Sequence, residues 1–308
     1  MSQISLKTPP QVLFLTLKMF SVTGGIEEVC RVFSRTLFDL GFKLKDFKVY
    51  SLYDKPLERK SRFVSEKNFK GFNHVRSLFL SFCLLTGRKS QIVVISHVNL
   101  LFVALLIKKT SPRTRIIMFA HGVEIWREIS NWKKVFLRKH CEIWAVSEFT
   151  AKKISEEHQI NPDKIYILPN CLNPFLRIPK SFEKPKSLLK RYNLKAEQPI
   201  LYTLTRLSSH EIYKGYDKVI ESLPELLKLY PNLHYLIAGS ADEAEKIRLI
   251  KLIDKLNLKK YVTLAGFIPE TEFINHFNLA DVFIMPSRKE GFGIVFIEAA
   301  ACGCKIIA

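Results

Sequence analysis

Residues 200–238 read ILYTLTRLSSHEIYKGYDKVIESLPELLKLYPNLHYLIA, and this stretch decides the fold. Two short apolar runs, Ile200–Leu204 and Tyr235–Ala238, have the length and residue types of buried strands. Between them, apolar residues recur at helical spacing over Tyr216–Leu229. A strand, a helix and a second strand in this order form the unit of a parallel sheet covered by helices. The stretch therefore predicts an α/β domain.

The same alternation extends along the chain in both directions. After residue 238 it predicts helix Asp242–Leu256, strand Val262–Ala265, helix Glu270–Asn278, strand Val282–Met285, helix Gly293–Ala301 and strand Lys305–Ile307. Before residue 200 it predicts strands Val12–Leu17, Ile92–Ile95, Ile116–Phe119 and Ile143–Val146. The clearest helix of this half runs from Ile26 to Leu40, and Gly41 stands where a left-handed cap would end it.

The length of 308 residues predicts two hydrophobic cores. Residues 173–190, NPFLRIPKSFEKPKSLLK, hold three prolines and many charges, which is typical of an interdomain connection. We therefore expect an α/β protein of two Rossmann-like, doubly wound domains, residues 1–180 and residues 181–308. Because the chain ends at Ala308 inside an apolar run, we expect a fragment whose second domain is incomplete.

The composition, 47% hydrophobic and 25% charged, is that of a globular protein and excludes a disordered one. The formal net charge is +19, of which +16 falls on residues 1–180 and +3 on residues 181–308. An excess of this size attracts polyanions, so nucleic acid, anionic lipid or a phosphorylated substrate are the partners to weigh. A generally basic proteome would produce the same excess without any such partner.

The sequence favours a cytoplasmic location. The N-terminus, MSQISLKTPPQ, lacks an apolar signal core, and the apolar stretch Ile92–Ile107 is too short and too interrupted to cross a bilayer. The six cysteines form no CxxC pair and lie at no zinc-finger spacing, so we interpret them as reduced core thiols.

The segment EGFGIVFIE, residues 290–298, carries the strongest chemical signal. Its two glycines permit backbone to approach a ligand, and the helix that follows begins with N–H groups and a partial positive charge suited to diphosphate oxygens. Glu290 would lie beside a reacting sugar, and Glu298, about one turn into the helix, is suited to a ribose diol. An amphipathic helix with two acidic residues on its surface would have the same sequence pattern.

A second segment, TRLSSHEIYKGYD at residues 205–217, places two cations after a predicted strand. Ligands of open α/β sheets collect at the carboxyl ends of strands, and Arg206 and Lys214 there suit a departing diphosphate. A solvated surface pair is the alternative.

Two segments of the first half carry weaker signals. SVTGGIEEV, residues 21–29, follows a strand and opens a helix, but it lacks the third glycine of a dinucleotide fingerprint, so a nicotinamide cofactor is not expected. Gly24 and Gly25 are compatible with a phosphate or sugar, or with a plain tight turn. In FAHGVEIW, residues 119–126, His121 ends a strand and would contact a sugar hydroxyl or an acceptor; a structural histidine is the alternative.

Taken in order, these segments resemble the family 4 (group 1) retaining glycosyltransferases of the GT-B fold. The resemblance rests on the glycine loop GGIEEV, the His-Gly segment HGVEIW, AVSEFTAKKI (145–154), ILPNCLNP (167–174), TRLSSHEIYKGYD, LAGFIPETEF and the final DVFIMPSRKEGFGIVFIEAAACGCKIIA. It spans nearly the whole chain. The sequence departs from the family pattern at Cys171 and Cys302, and the segment that normally crosses back to the first domain is missing.

The resemblance implies a role for each candidate residue. Arg206 and Lys214 would neutralise the diphosphate leaving group, Glu290 would hold a donor-sugar hydroxyl, and His121 would line the acceptor side. The other candidates would bind the donor. Gly24 and Gly25 would approach its phosphates across a cleft between the domains, and Glu298 would bind its ribose. Phe267 and Ile268 would lie near the base, and the helix start would supply Gly291, Phe292, Gly293 and Ile294.

The expected reaction transfers a sugar from a nucleotide-sugar donor to a saccharide or lipid-linked acceptor. Fixed cations and a helix N-terminus supply charge stabilisation, so we expect no metal and no other cofactor, in agreement with the absence of a DxD motif from the sequence. The family resemblance implies retention of configuration, with Glu290 positioning the sugar without acting as nucleophile.

The acceptor is expected to be anionic or membrane-borne. NWKKVFLRK (131–139) and the Phe-rich stretch Phe69–Leu85 mix apolar and cationic residues as interfacial helices do, which predicts peripheral binding to an anionic membrane surface at its inner face. Ordinary domain helices with solvated lysines are the alternative.

Three other functions remain open. A sugar-nucleotide epimerase or a phosphorylase would use the same architecture, since fold does not settle function. A basic nucleic-acid-binding protein would explain the net charge, but no recognisable binding module and no aromatic platform appears in the sequence, so nucleic acid is not an expected partner.

Overall fold

A computed structural model describes residues 11–57, 61–178 and 180–308. The chain separates into two units, one ending at Pro174 and the other spanning Phe175–Ala308. Residues 1–10, most of the N-terminal segment in which no signal core is found, lie outside the described residues. Within the described residues, no helix has both the length and the apolarity that a bilayer crossing requires.

The first unit is built on a seven-stranded sheet in which every strand pair is parallel. Its elements are β1 (Val12–Thr16), α1 (Gly25–Asp39), β2 (Phe47–Ser51), β3 (Phe69–Gly71), α2 (Arg76–Gly87), β4 (Ile92–Ile95), α3 (Leu101–Thr110), β5 (Arg115–Ala120), α4 (Val123–Trp126), α5 (Asn131–His140), β6 (Cys141–Ala145), α6 (Glu148–His158) and β7 (Ile165–Ile167). The strand order is β3-β2-β1-β4-β5-β6-β7. The order therefore reverses between β1 and β4, which is the usual ligand position of such sheets.

The second unit repeats this plan with a five-stranded parallel sheet. Its elements are α7 (Lys186–Tyr192), β8 (Ile200–Leu204), α8 (Tyr216–Leu229), β9 (His234–Ala238), α9 (Glu243–Lys255), β10 (Val262–Gly266), α10 (Phe273–Leu279), β11 (Val282–Ile284), α11 (Ile294–Ala301) and β12 (Lys305–Ile307). The order β10-β9-β8-β11-β12 reverses between β8 and β11.

Both faces of the second sheet are buried, which explains the continuous apolar runs of its strands. In β8, Ile200 and Tyr202 pack on one face with Leu236 of β9, whereas Leu201 packs on the opposite face with Tyr235. Successive side chains of a strand point to opposite faces, so helices on both sides are needed to cover them. The doubly wound architecture predicted for this half is confirmed.

The end of α1 also follows the prediction. Gly41 has φ +85°, its amide donates to the carbonyl of Phe38 at 3.0 Å, and the amide of Phe42 donates to the carbonyl of Leu37 at 3.1 Å. These two bonds form a Schellman motif, in which a left-handed residue ends the helix and glycine adopts that conformation without a Cβ penalty.

Three sequence interpretations need correction. Helix α7 begins inside the stretch 173–190 that the prolines mark as a connection, and its Leu188 is buried in the core of the second unit. The stretch Phe69–Leu85 is not one helix, because Phe69 starts strand β3 and the helix α2 begins only at Arg76. Five cysteines are buried, but Cys171 is exposed and is not a core thiol.

Candidate active site

The loops that follow β8 and β11 meet where the strand order of the second sheet reverses. Gly215, at the end of the first loop, has φ +79°, and a Cβ placed on it would lie 2.4 Å from the carbonyl oxygen of Pro286 in the second loop. Glycine is therefore required at this position both by its backbone conformation and by the close approach of the two loops. This contact holds the two loops together at the bottom of the candidate site.

An ion pair joins the two loops. The ammonium of Lys214 lies 2.8 Å from Oε2 and 3.2 Å from Oε1 of Glu290. Their side chains are 14% and 26% exposed, so the pair is sheltered but accessible. Lys214 is positioned by a single 3-10 turn, Ile212–Lys214, in which its amide donates to the carbonyl of Glu211 at 3.0 Å. The structure thus brings together two predicted residues that are far apart in sequence.

Arg206 lies on the same loop as Lys214 but has a different partner. Its guanidinium forms two hydrogen bonds with the carboxylate of Glu211, Nη2 to Oε1 at 2.5 Å and Nε to Oε2 at 3.2 Å. The Arg206 side chain is 63% exposed, whereas that of Glu211 is only 19% exposed. Glu211 was not predicted, although it lies within the quoted segment 205–217.

Tyr213 connects these charged groups. Its carbonyl accepts a hydrogen bond from the amide of Arg288 at 2.9 Å, and the ammonium groups of Lys214 and Lys289 lie 5.7 Å and 6.0 Å from its ring centroid. Burial raises the pKa of its phenol, and the carboxylates of Glu211 and Glu290 raise it further. Arg206 acts in the opposite direction. Tyr213, also not predicted, therefore marks a common neighbourhood for Arg206, Glu211 and Glu290.

The N-terminus of α11 borders this neighbourhood. Its N-cap, Gly293, has φ +80°, and a Cβ there would lie 2.4 Å from Cδ2 of Phe296 and 3.3 Å from Cγ of Glu290. Gly291, Phe292 and Ile294 are partly buried around it. The first N–H groups of a helix suit an anion, so the predicted glycine turn has the geometry of a phosphate-binding helix start.

The other predicted donor residues of the second unit lie on neighbouring elements. Glu298 is partly buried on α11, next to the buried Cys302, whose pKa rises to about 11 through burial and the nearby Glu298 charge. Phe267 follows β10 and is 58% exposed, as a base-contacting side chain would be. Ile268 is only 4% exposed and packs in the core, so a ligand would reach its backbone and not its side chain.

The loop that carries the cations is anchored by the cap of α9. Asp242 accepts hydrogen bonds from the amides of Glu245 and Ser209, each at 2.8 Å. Because these bonds stabilise the carboxylate, the pKa of Asp242 falls to about 2. One side chain therefore caps a helix and holds the start of the 206–214 loop.

In the first unit, a buried carboxylate organises the loop after β1. Asp54 is 1% exposed and accepts hydrogen bonds from the amides of Met19 at 2.6 Å and Ser21 at 2.7 Å and from Oγ of Ser51 at 2.6 Å. Arg31 donates to the carbonyl of Met19 at 3.0 Å. The loop that leads to Gly24 and Gly25 is thus held through both the amide and the carbonyl of Met19.

The glycines themselves have less conformational significance than the sequence indicates. Gly24 is extended, with φ −177° and ψ 166°, a conformation open to any residue. A Cβ on Gly24 would lie 2.5 Å from a carboxylate oxygen of Glu27, so this acid lies next to the start of α1.

His121 lies at the end of β5 with a defined ring orientation. Its Nε2 lies 3.1 Å from the carbonyl of Ser96, at the end of β4, and therefore carries the proton that it donates. The buried Nδ1 meets no hydrogen-bonding partner within residues 11–57, 61–178 and 180–308. Burial lowers the pKa of His121 to about 4, so the ring is neutral at pH 7. The neutral Nδ1 is a hydrogen-bond acceptor that is buried and out of reach of solvent.

Within the part of the chain that the structure describes, no group of three or more His, Cys, Asp and Glu side chains is arranged to hold a metal ion. Two of the cations around Tyr213, Arg206 and Lys214, are each paired with one carboxylate. Such an arrangement can bind an anion.

Two Rossmann-like units, each with a helix start beside the reversal of its strand order, define the class of the protein. Residues 23–174 match the family model described as Glycosyltransferase Family 4, and residues 186–308 match the model described as Glycosyl transferases group 1. The chain belongs to the family 4 (group 1) glycosyltransferases.

Curated relatives match parts of the chain. A GDP-mannose-dependent alpha-(1-6)-phosphatidylinositol monomannoside mannosyltransferase of Mycolicibacterium smegmatis is 34% identical over 126 residues, which are 39% of this chain and 31% of the relative. The alpha-monoglucosyldiacylglycerol synthase of Acholeplasma laidlawii is 29% identical over 170 residues, 54% of this chain and 41% of the relative. The matched region thus spans less than half of each of these relatives.

Solved structures support the fold. HepE of Anabaena in complex with UDP superposes with a TM-score of 0.75 at 17% identity, covering 97% of this chain and 80% of that one. Sucrose-phosphate synthase of Thermosynechococcus elongatus superposes with a TM-score of 0.70 at 17% identity, covering 97% and 81%. At these identities the likeness shows the GT-B fold of two Rossmann-like domains.

Proposed function

We propose that this protein transfers a sugar from a nucleoside-diphosphate sugar to an acceptor hydroxyl, with retention of configuration, in glycolipid or polysaccharide assembly. The observation that carries the proposal is the Lys214–Glu290 pair between the loops after β8 and β11, beside the start of α11. Family membership and the UDP complex of the similar HepE structure support a nucleotide-sugar donor.

The chemistry follows from where negative charge develops. The acceptor oxygen bonds to the anomeric carbon on the face from which the diphosphate leaves. The diphosphate departs with the electron pair of the broken bond, and its oxygen takes the proton of the acceptor hydroxyl. Lys214 and Arg206 neutralise this charge, and the first N–H groups of α11, in the turn from Gly291 to Ile294, contribute a partial positive charge. These two cations and the helix start supply the stabilisation, so the proposed reaction uses no metal.

Carboxylates and apolar groups complete the proposed donor site. Glu290 orients Lys214 and accepts a hydrogen bond from a hydroxyl of the donor sugar. Glu298 binds the ribose, and the base lies against Phe267 and the backbone at Ile268. Under this proposal residues 181–308 bind the donor.

The first unit, residues 1–180, binds the acceptor under the same proposal. Its His121, at the carboxyl end of β5, lines the acceptor side, and we assign Gly24 and Gly25 to the phosphates of the donor. The names of the curated relatives point to lipid substrates, since one glycosylates a phosphatidylinositol monomannoside and the other forms a monoglucosyldiacylglycerol.

The basic excess of residues 1–180 supports peripheral binding to an anionic membrane. On α5, Phe136 and Leu137 are buried, while Trp132 and Val135 are exposed beside Lys133. Exposed apolar and cationic side chains on one helix suit the interfacial region of a bilayer. The chain should sediment with anionic vesicles at low salt and less with rising salt, and failure to sediment at low salt would remove the membrane from the proposal.

The test of function begins with the donor. Thermal-shift measurements with UDP-, GDP- and ADP-sugars on the full-length protein should identify one that stabilises it. With that donor, release of nucleoside diphosphate should depend on an added acceptor, which distinguishes transfer from epimerisation.

Substitution then tests the residues. Glu290→Ala and Lys214→Ala should each lower turnover by ~10² or more, because a fixed charge-stabilising group is lost. Lys218→Ala removes a lysine of an exposed pair with Glu221 from the nearby helix α8 and serves as the matched control. Wild-type turnover in both site variants would refute the assignment.

A further inference from the structure

Glu211 forms an ion pair with Arg206, a cation that the proposed function assigns to the diphosphate. Its carboxylate contacts Nε and Nη2 of Arg206, and it is the more buried member of the pair. Its backbone is fixed as well, since its amide donates to the carbonyl of Ser208 at 2.8 Å and its carbonyl accepts from Lys214. Glu211 therefore stays in place, whereas the exposed Arg206 side chain has room to turn.

The proposed function gives Glu211 no contact with substrate. Glu290, the carboxylate paired with the other cation, has a sugar hydroxyl to hold, but Glu211 pairs only with Arg206 among the interactions that define the site. Its charge nevertheless reaches the site, because it raises the pKa of Tyr213 together with Glu290. A fixed negative charge beside a diphosphate site opposes the diphosphate.

We infer that Glu211 is an internal counter-ion that competes with the diphosphate for Arg206 and so weakens the binding of the nucleoside diphosphate product. This inference rests on the proposed function. The product leaves when Arg206 returns to Glu211, and product inhibition is limited by the same exchange. Glu211 is thus a residue that sets affinity without touching the reacting atoms.

The size of the effect follows from Coulomb's law. A diphosphate of charge −2 about 6 Å from a carboxylate in a water-like dielectric is repelled enough to change its affinity roughly tenfold. Removing the Glu211 charge also leaves Arg206 available to the diphosphate alone. Because the two effects add, we expect Glu211→Gln to bind the product at least about tenfold more tightly than the wild type.

Titration calorimetry with UDP and with GDP tests this on the full-length protein. The matched control is Glu225→Gln, which removes the same charge from an exposed pair with Lys228 on α8. Glu211→Gln should lower the Kd of the bound nucleotide at least about tenfold and lower its inhibition constant equally, while Glu225→Gln leaves both within twofold. In an Arg206→Gln background, Glu211→Gln should have a smaller effect.

These measurements distinguish the inference from a purely structural role of Glu211 and from failure of the proposed function. Unchanged or weaker product binding in a folded Glu211→Gln would overturn the inference and show that Glu211 merely holds Arg206 in position. Glu211→Ser provides a second measurement of the same Kd if the glutamine variant does not fold. Failure of the wild type to bind either nucleotide would instead reject the proposed function, and the inference with it.

Discussion

Substituting Gly293 by alanine tests how the start of α11 and Glu290 depend on each other. The alanine would have to adopt φ +80°, and its Cβ would lie 2.4 Å from the ring of Phe296 and 3.3 Å from Cγ of Glu290. The left-handed conformation costs a non-glycine residue about 1–2 kcal/mol, and overpacking costs about 1–3 kcal/mol more. We expect Gly293→Ala to destabilise the second unit by about 2–5 kcal/mol.

Gly266→Ala is the matched control. Gly266 has φ +72°, but a Cβ there would meet nothing within 4 Å. This variant therefore carries the conformational cost of about 1–2 kcal/mol without the steric one. The difference between the two variants measures the clash with Phe296 and Glu290.

The chain offers a convenient assay for this comparison. All three tryptophans, Trp126, Trp132 and Trp144, lie in the first unit, so tryptophan fluorescence reports the unfolding of that unit alone. Far-ultraviolet circular dichroism reports both units. In urea, Gly293→Ala should shift the dichroism transition of the second unit and leave the fluorescence transition unchanged. A loss of stability no larger than that of Gly266→Ala would refute the reasoning.

Three further predictions follow from the contacts of single side chains. Asp54→Asn should destabilise the first unit by about 1–3 kcal/mol in the fluorescence assay, because the amides at Met19 and Ser21 lose a carboxylate acceptor; an unchanged midpoint would contradict this. The pKa of Asp242 is lowered to about 2, so its stabilising contribution is present above pH 4 and is lost as the pH falls from about 4 to 2. Urea midpoints over this range should fall more for the wild type than for Asp242→Asn, which keeps a capping side chain, and parallel curves would argue against the cap. A thiol reagent should modify only Cys171 in the native protein, as the other five thiols are buried, and modification of a second cysteine detected by mass spectrometry would contradict that assignment.

The elements that the sequence predicts well are those buried on both faces. In β8 and β9 every position except Thr203 and His234 is apolar, so the runs at 200–204 and 234–238 are conspicuous. Strand β7 lies at the edge of its sheet, and Tyr166 and Ile167 are exposed. Its sequence therefore shows little of the apolar pattern that marks a buried strand. Strand β3 has only three residues. Short or exposed strands depend on their neighbours for formation, and that dependence is not visible in a local pattern.

Helix α7 shows how one signal can have two meanings. The sequence places Pro185 in an interdomain connection, yet it is the N-cap of α7, where its missing N–H costs nothing. The buried Leu188 three residues later is the apolar anchor that distinguishes a helix start from a linker.

The candidate site was only partly predictable for a related reason. Lys214 and Glu290 carry recognisable motifs, but their contact depends on β8 and β11 being neighbours in the sheet. The pairing of Arg206 with Glu211 depends on a turn, Ser208–Glu211, whose closing hydrogen bond no periodicity reveals. The sequence thus identifies which residues carry the charges of the site, whereas the strand order of the sheet and the turns of its loops determine which of them pair.

The distribution of charge separates the two proposed anion sites. Residues 181–308 carry a net charge of only +3, and the cations Arg206 and Lys214 are each paired with a carboxylate. A donor diphosphate is therefore selected by the geometry of a few groups, since little net positive charge surrounds them. The +16 on residues 1–180 is available for a larger anion. Under the proposed function this anion is the surface that carries the acceptor, because a diffuse excess attracts a membrane more effectively than it orients a single phosphate.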